Sequence, residues 1–348
     1  MGLLKLTPLL FPGVNAWATE KVIEIEGLPP DACTPHNMMK DRYLATTRIR
    51  YALLRSAALV ARQRRACLLL LVLTCTARAQ SSSVQTIQLP SKLVNTTLSY
   101  NVILPPDYRT SSATRYPVLY LLHGFGGHYS DWVTRTNVAD YAAQYRLIVV
   151  TPEGNNGWYT DSASTATDKY ESYILKELIP DVEKRFRTIE SRYGRGIAGL
   201  SMGGYGALKF GLKSPATFAF AGSISGAVAV PSWTEEDYQN LKSIRDSAFS
   251  AFGPIGSEAR KANDIFEIAR NLSGARIASL PYVYLDCGTE DFLISDNNRL
   301  AALLREKKIP HEFRELPGDH SWLYWNQQVQ EVLRIAAGKL RAGKPKKK

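Results

Sequence analysis

Two rhythms of apolar residues alternate along most of the chain. Residues 84–89 and 97–104 switch between apolar and polar side chains at period two, the pattern of strands with one face buried. A polar stretch joins them and Pro105-Pro106 ends the second, so they predict an antiparallel pair at a sheet edge. Residues 116–122 (YPVLYLL) are instead continuously apolar, as expected of a strand covered on both faces. Residues 146–151, 195–200, 219–223, 281–287 and 311–316 repeat that character. Between these runs the apolar spacing shifts to three and four, which predicts helices over 138–144, 170–185, 205–213, 265–271, 296–307 and 323–341. Alternating strand and helix predicts an α/β fold over residues 80–341: a doubly wound, mostly parallel sheet with an antiparallel N-terminal edge. Such sheets carry their sites at the carboxyl ends of the strands.

The first eighty residues break the pattern. Arg62-Gln63-Arg64-Arg65 precede the short apolar run Ala66–Cys75, and Ala77-Arg78-Ala79 supplies a small-x-small ending. A basic start, an apolar stretch too short for a stable membrane span and such an ending predict a signal peptide over 60–79, cleaved after Ala79, and hence a secreted or periplasmic protein. An uncleaved anchor and a lipid on Cys75 are the alternatives. Residues 1–59 show no sustained periodicity and are expected to be a disordered extension or to precede the true translation start. Cys33, Cys67 and Cys75 fall in the removed part, which leaves Cys287, in an apolar run, as a buried thiol without a partner.

Composition changes this picture little, whereas the placement of charge changes it more. With 45% apolar and 22% charged residues the chain is of globular type. Of the net charge of +11, residues 1–79 carry a surplus of six and the last ten residues another six, so the body between is nearly neutral. A nucleic-acid surface needs its basic residues on the folded domain, so no nucleic-acid partner is expected. The lysine-rich end, 342–348, is expected to be a disordered tail.

The chemistry concentrates at Gly199-Leu200-Ser201-Met202-Gly203, where a predicted strand runs into a predicted helix. A serine there turns the chain sharply, and the flanking glycines remove Cβ atoms that would collide with the neighbouring strand and helix. The Met202 N–H opens the helix without a partner, in position to meet negative charge on an attacked carbonyl. This is the nucleophile elbow of α/β-hydrolases. A serine hydroxyl needs a base and the base an orienter. His36 falls with the presequence, His123 and His128 precede the elbow, and His311 opens a strand. His320, in the loop after the last strand, remains. For the acid, Asp291 lies in the loop beyond Gly288, whereas Asp286 falls inside the strand and is the second choice. Phe125, in the glycine-rich loop His123–His128, is expected to supply the second oxyanion donor. Trp158, Tyr159, Asp161 and Trp322 are expected to border the substrate. No cofactor or metal is expected, for the histidines have no cysteine or carboxylate cluster at ligand spacing.

The chain resembles the esterase D / feruloyl esterase-like branch of the α/β-hydrolases over about residues 84–337. The carriers are Tyr116–Gly127, Asn156–Ser162 (NGWYTDS), Glu177–Phe186, Ala198–Leu208 (AGLSMGGYGAL), Leu285–Leu293 (LDCGTEDFL) and Gly318–Trp325. The resemblance implies Ser201 as nucleophile, Asp291 and His320 as its partners, and the amides of Phe125 and Met202 as oxyanion hole. It also implies a serine carboxylesterase for small-molecule or polysaccharide esters with short acyl or hydroxycinnamoyl groups. The same branch holds mycolyltransferases and S-formylglutathione hydrolases, which keeps an acyltransferase and a thioesterase open as alternatives. A binding protein without activity has no use for five such groups.

Overall fold

The computed structural model describes residues 82–340. The expected extension, signal peptide and lysine-rich tail lie outside the described residues. Eight strands form one sheet: β1 (Ser83–Ser91), β2 (Thr96–Leu104), β3 (Val118–Leu122), β4 (Ile148–Pro152), β5 (Arg195–Leu200), β6 (Phe220–Ile224), β7 (Tyr282–Gly288) and β8 (His311–Leu316), in the order β1-β2-β4-β3-β5-β6-β7-β8. The first two pair antiparallel from Ser83↔Leu104 to Ser91↔Thr96 and join β4 antiparallel, while β4 through β8 are parallel. This is the expected doubly wound sheet with its antiparallel edge. The order reverses at β3, which lies between β4 and β5, and a crevice opens there beyond the strand ends.

Strand pleating divides the core in two. Val118, Tyr120 and Leu122 join one apolar cluster, while Leu119 and Leu121 join the other. All five are buried, which is why this stretch reads as continuously apolar. Among the described residues ten α-helices cover the two faces: α1 (Asp131–Arg135), α2 (Val138–Ala143), α3 (170–185), α4 (Met202–Lys213), α5 (Lys242–Phe252), α6 (Glu258–Lys261), α7 (Ile265–Arg270), α8 (Gly274–Ala278), α9 (Ile294–Glu306) and α10 (Trp322–Lys339). Helix α3 runs through Tyr170–Tyr173, a π turn at Ile174–Leu178 and Ile179–Arg185. Pro180 has no N–H to donate, and just before it the Ile179 amide reaches back five residues to the Ile174 carbonyl. Helices α1, α5, α6 and α8 have no counterpart among the predicted elements. Among the described residues no helix is long and apolar enough to cross a membrane.

Candidate active site

Ser201 stands where β5 passes into α4, with φ 52° and ψ −117°. Positive φ at a non-glycine residue costs about 1–3 kcal/mol and persists only where surrounding structure holds it. Here the Ser201 N–H donates to the Ile224 carbonyl at 2.9 Å, and its own carbonyl accepts from Tyr205 and Ala227 amides at 3.0 Å each. A Cβ on Gly203 would lie 2.5 Å from the Leu122 carbonyl oxygen. One on Gly124 would lie 2.6 Å from Leu200 Cδ1 and 3.3 Å from Ser201 Cβ, so the loop after β3 approaches the elbow as bare backbone.

That loop is held from below by His123, which is buried. Its Nδ1–H donates to the Gly124 carbonyl at 2.8 Å, leaving Nε2 to accept the Gly154 N–H at 2.9 Å. Tyr159 adds a hydroxyl to the His123 carbonyl at 3.0 Å. Glu153 accepts the amides of Asn155 (2.9 Å) and Tyr129 (3.3 Å). Burial would raise its carboxyl, but the amides it accepts hold it below the ordinary glutamate value. Further along, Gly126 N–H is tied to Asn156 Oδ1 at 2.7 Å and Gly127 N–H to the Gly124 carbonyl at 3.1 Å. The amides of Phe125 and Met202 donate to no protein acceptor among the described residues, so both remain available to an incoming oxygen.

His320, in the loop after β8, joins the remaining groups. Its Nε2 is 3.1 Å from Ser201 Oγ and its Nδ1 is 2.8 Å from Asp291 Oδ2. Asp291 is 2% exposed and also accepts the Leu293 amide at 2.9 Å. Burial raises its carboxyl, yet the His320 hydrogen bond, with the Leu293 amide, brings it below the ordinary aspartate value. An ionised Asp291 accepts from Nδ1–H, which leaves Nε2 free to take a proton from Ser201. Asp286 lies inside β7, fully buried, with Oδ1 bonded by the Tyr324 hydroxyl at 3.0 Å and Oδ2 without a partner. Burial pushes its carboxyl up to about 7, against the pull of that hydroxyl. The structure thus brings Asp291, and not Asp286, to His320.

A cavity of about 210 Å³ opens beside Ser201, bordered by Phe125, Gly126, Arg135, His320, Trp322 and Trp325. Drug-sized ligands occupy about 300–1,000 Å³, so this space suits a small group. Of the four residues expected to border the substrate, Trp322 lines this cavity, whereas Trp158, Tyr159 and Asp161 do not. Trp158 is 1% exposed, packed against Phe125, Tyr205 and Phe252 and donating to Ser247 Oγ at 2.8 Å. Tyr159 is fully buried, and Asp161 accepts the Ser172 amide and hydroxyl. Trp158 and Tyr159 brace the loop that carries Phe125 from behind, while Asp161 holds the start of α3. Sequence reasoning missed Arg135, which stands 5.4 Å from the Trp322 ring centre, because helix α1 was not recognised. Cys287 is buried, and burial pushes its thiol up.

Such an elbow on such a sheet defines the α/β-hydrolase fold. A family model described as "Putative esterase" matches residues 91–335, and the chain belongs to that family. The acetyl esterase of Caldicellulosiruptor saccharolyticus is 28% identical over 255 residues, 71% of this chain and 95% of that protein. The S-formylglutathione hydrolase of Bos taurus is 26% identical over 275 residues, 70% of this chain and 90% of its own. Among solved structures a ferulic acid esterase superposes with a TM-score of 0.64 at 29% identity, covering 74% of this chain and 98% of that one. The protein is a carboxylic ester hydrolase.

Proposed function

We propose that the protein is an exported serine esterase that cleaves short acyl or hydroxycinnamoyl esters, including those of sugars, through an acyl-enzyme on Ser201. The observation that carries this reading is the unbroken hydrogen-bonded line from Asp291 through His320 to Ser201, at 2.8 and 3.1 Å. His320 takes the hydroxyl proton as Ser201 Oγ attacks, Asp291 holds the imidazolium, and the amides of Phe125 and Met202 meet the developing oxyanion. The alcohol leaves with the proton from His320. Water then enters by the same route and releases the acid.

The small cavity beside Ser201 supports a short acyl group over a fatty one. Export rests on the signal-like segment 60–79 and fits a polymeric or extracellular ester. Catalytic efficiencies on p-nitrophenyl acetate, butyrate and palmitate, methyl ferulate and acetylated xylan test the substrate range, with an added alcohol acceptor to register transfer. Palmitate outrunning butyrate tenfold, about 1.4 kcal/mol in transition-state binding, would replace this reading with a lipase or acyltransferase.

A further inference from the structure

Five large apolar side chains among the described residues stand well out in solvent, and the two most exposed are Leu323 at 73% and Phe292 at 67%. Phe292 follows Asp291 and lays its ring against the imidazole, centroids 4.7 Å apart. Leu323 lies on the first turn of α10, three residues after His320. A single exposed apolar residue is ordinary. One of them laid against the group that handles the proton, with the other only three residues beyond that group in the chain, is a different observation.

The chemistry says what passes there. In acylation the bond between Ser201 Oγ and the acyl carbon forms, the ester bond to the alcohol oxygen breaks, and the proton taken from Ser201 by His320 Nε2 moves to that oxygen. The alcohol oxygen therefore comes within about 3 Å of Nε2. The rest of the alcohol is carried onto the surface beside the imidazole. Trp325 packs perpendicular to the His320 ring at 4.9 Å and is buried, whereas Phe292 lies against the same ring and is exposed, so it is the ring open to an alcohol on that side of the imidazole. The two loops concerned are tied together: Glu290 N–H donates to the Gly318 carbonyl at 3.0 Å, and Gly318 N–H to Glu290 Oε2 at 2.7 Å. Phe292 is thus placed before substrate arrives. On the same loops the exposed carboxylates of Glu290 and Asp319 repel an anionic alcohol and offer acceptors to hydroxyl groups.

We propose that Phe292, together with Leu323, forms the subsite for the alcohol half of the ester, and that its occupant is a neutral sugar ring. The ring lays its C–H face on Phe292 and turns its hydroxyls toward Glu290 and Asp319. This inference rests on the serine esterase reading above. A long alkyl alcohol needs an extended apolar run, whereas this patch is two side chains bordered by carboxylates.

The test compares three butyrate esters, of methanol, hexanol and methyl glucoside, in the unchanged protein and in Phe292→Ala, Phe292→Tyr and Leu323→Ala. All three esters give the same acyl-enzyme, so differences in kcat/KM arise in the step where the alcohol is still bound. The ratio of sugar ester to methyl ester should fall about five- to twentyfold in Phe292→Ala, less in Leu323→Ala, and return in Phe292→Tyr. An unchanged ratio, or a larger fall for the hexyl than for the sugar ester, would overturn the subsite. No turnover of any ester by the unchanged protein would instead overturn the serine esterase reading on which it stands.

Discussion

Asp286 offers a test of how the interior beneath the site is built. It is fully buried, with one carboxylate oxygen bonded by Tyr324 and the other unpartnered, and burial holds its pKa at about 7. An aspartate in an unfolded chain titrates near 3.9. Between these values the folded protein keeps a proton that the unfolded chain has released, so stability falls as pH rises through roughly 4 to 7. About three pKa units correspond to a loss on the order of 4 kcal/mol at pH 8 relative to pH 4. Asp286→Asn keeps the shape and the oxygen that Tyr324 bonds but cannot ionise. Asp291 and Glu153 have lowered pKa values, so their stabilisation is present above about pH 4 and is lost only as pH falls through their folded values. They lie outside the window between pH 5 and pH 8. Groups common to both proteins cancel in the difference. Urea unfolding of the two proteins at pH 5, 6, 7 and 8 should show a gap in favour of the variant that widens with pH to a few kcal/mol. A gap that does not change with pH, or one that increasingly favours the unchanged protein, would mean that Asp286 is ionised and satisfied in the fold.

Three further predictions concern the site and its supports. Asp291→Asn should lower kcat by orders of magnitude while Asp286→Asn keeps most of it, measured on p-nitrophenyl butyrate; the reverse would move the acid to Asp286. Lys209 is fully buried, donates to the Tyr159 carbonyl at 2.8 Å and pairs with Glu171 at 2.9 Å. Lys209→Met should therefore cost about 2–4 kcal/mol in urea unfolding, and a cost below about 1 kcal/mol would show that Lys213, also on Glu171, replaces it. Deletion of Lys344–Lys348 should leave turnover of a soluble ester unchanged, and a large loss would place those residues at the site.

Much of the fold was legible because the sheet imposes its pattern directly. Residues 118–122 are buried on both faces and read as continuously apolar, whereas residues 96–104 alternate although Tyr100–Leu104 are all buried, because the polar Asn101 is accommodated there by the Thr86 hydroxyl. Helix α5 was not legible: along Lys242–Phe252 only Ala248, Ala251 and Phe252 are buried, so its apolar stripe is too sparse to register as a period. One omission led to another. Without α5 nothing in the sequence covers Trp158 and Tyr159, which sit among small polar residues and look like an exposed aromatic wall; in the structure Phe252 packs on Trp158 and closes it off. The groups that line up on Ser201 were easier to place, since each falls at a strand end where the sheet geometry allows few alternatives. Phe292 gave no such signal, because an apolar residue after Asp291 looks like core until its exposure is known.

Covalent labelling tests directly whether Ser201 is the nucleophile. A fluorophosphonate reacts by displacement of fluoride by an activated serine oxygen, leaving a stable phosphonyl ester. One equivalent of label should be taken up, mapped by peptide mass to the segment containing Ser201, with esterase activity lost in proportion and no labelling of Ser201→Ala. Turnover that survives complete labelling of Ser201, or inactivation with the label on another residue, would contradict it.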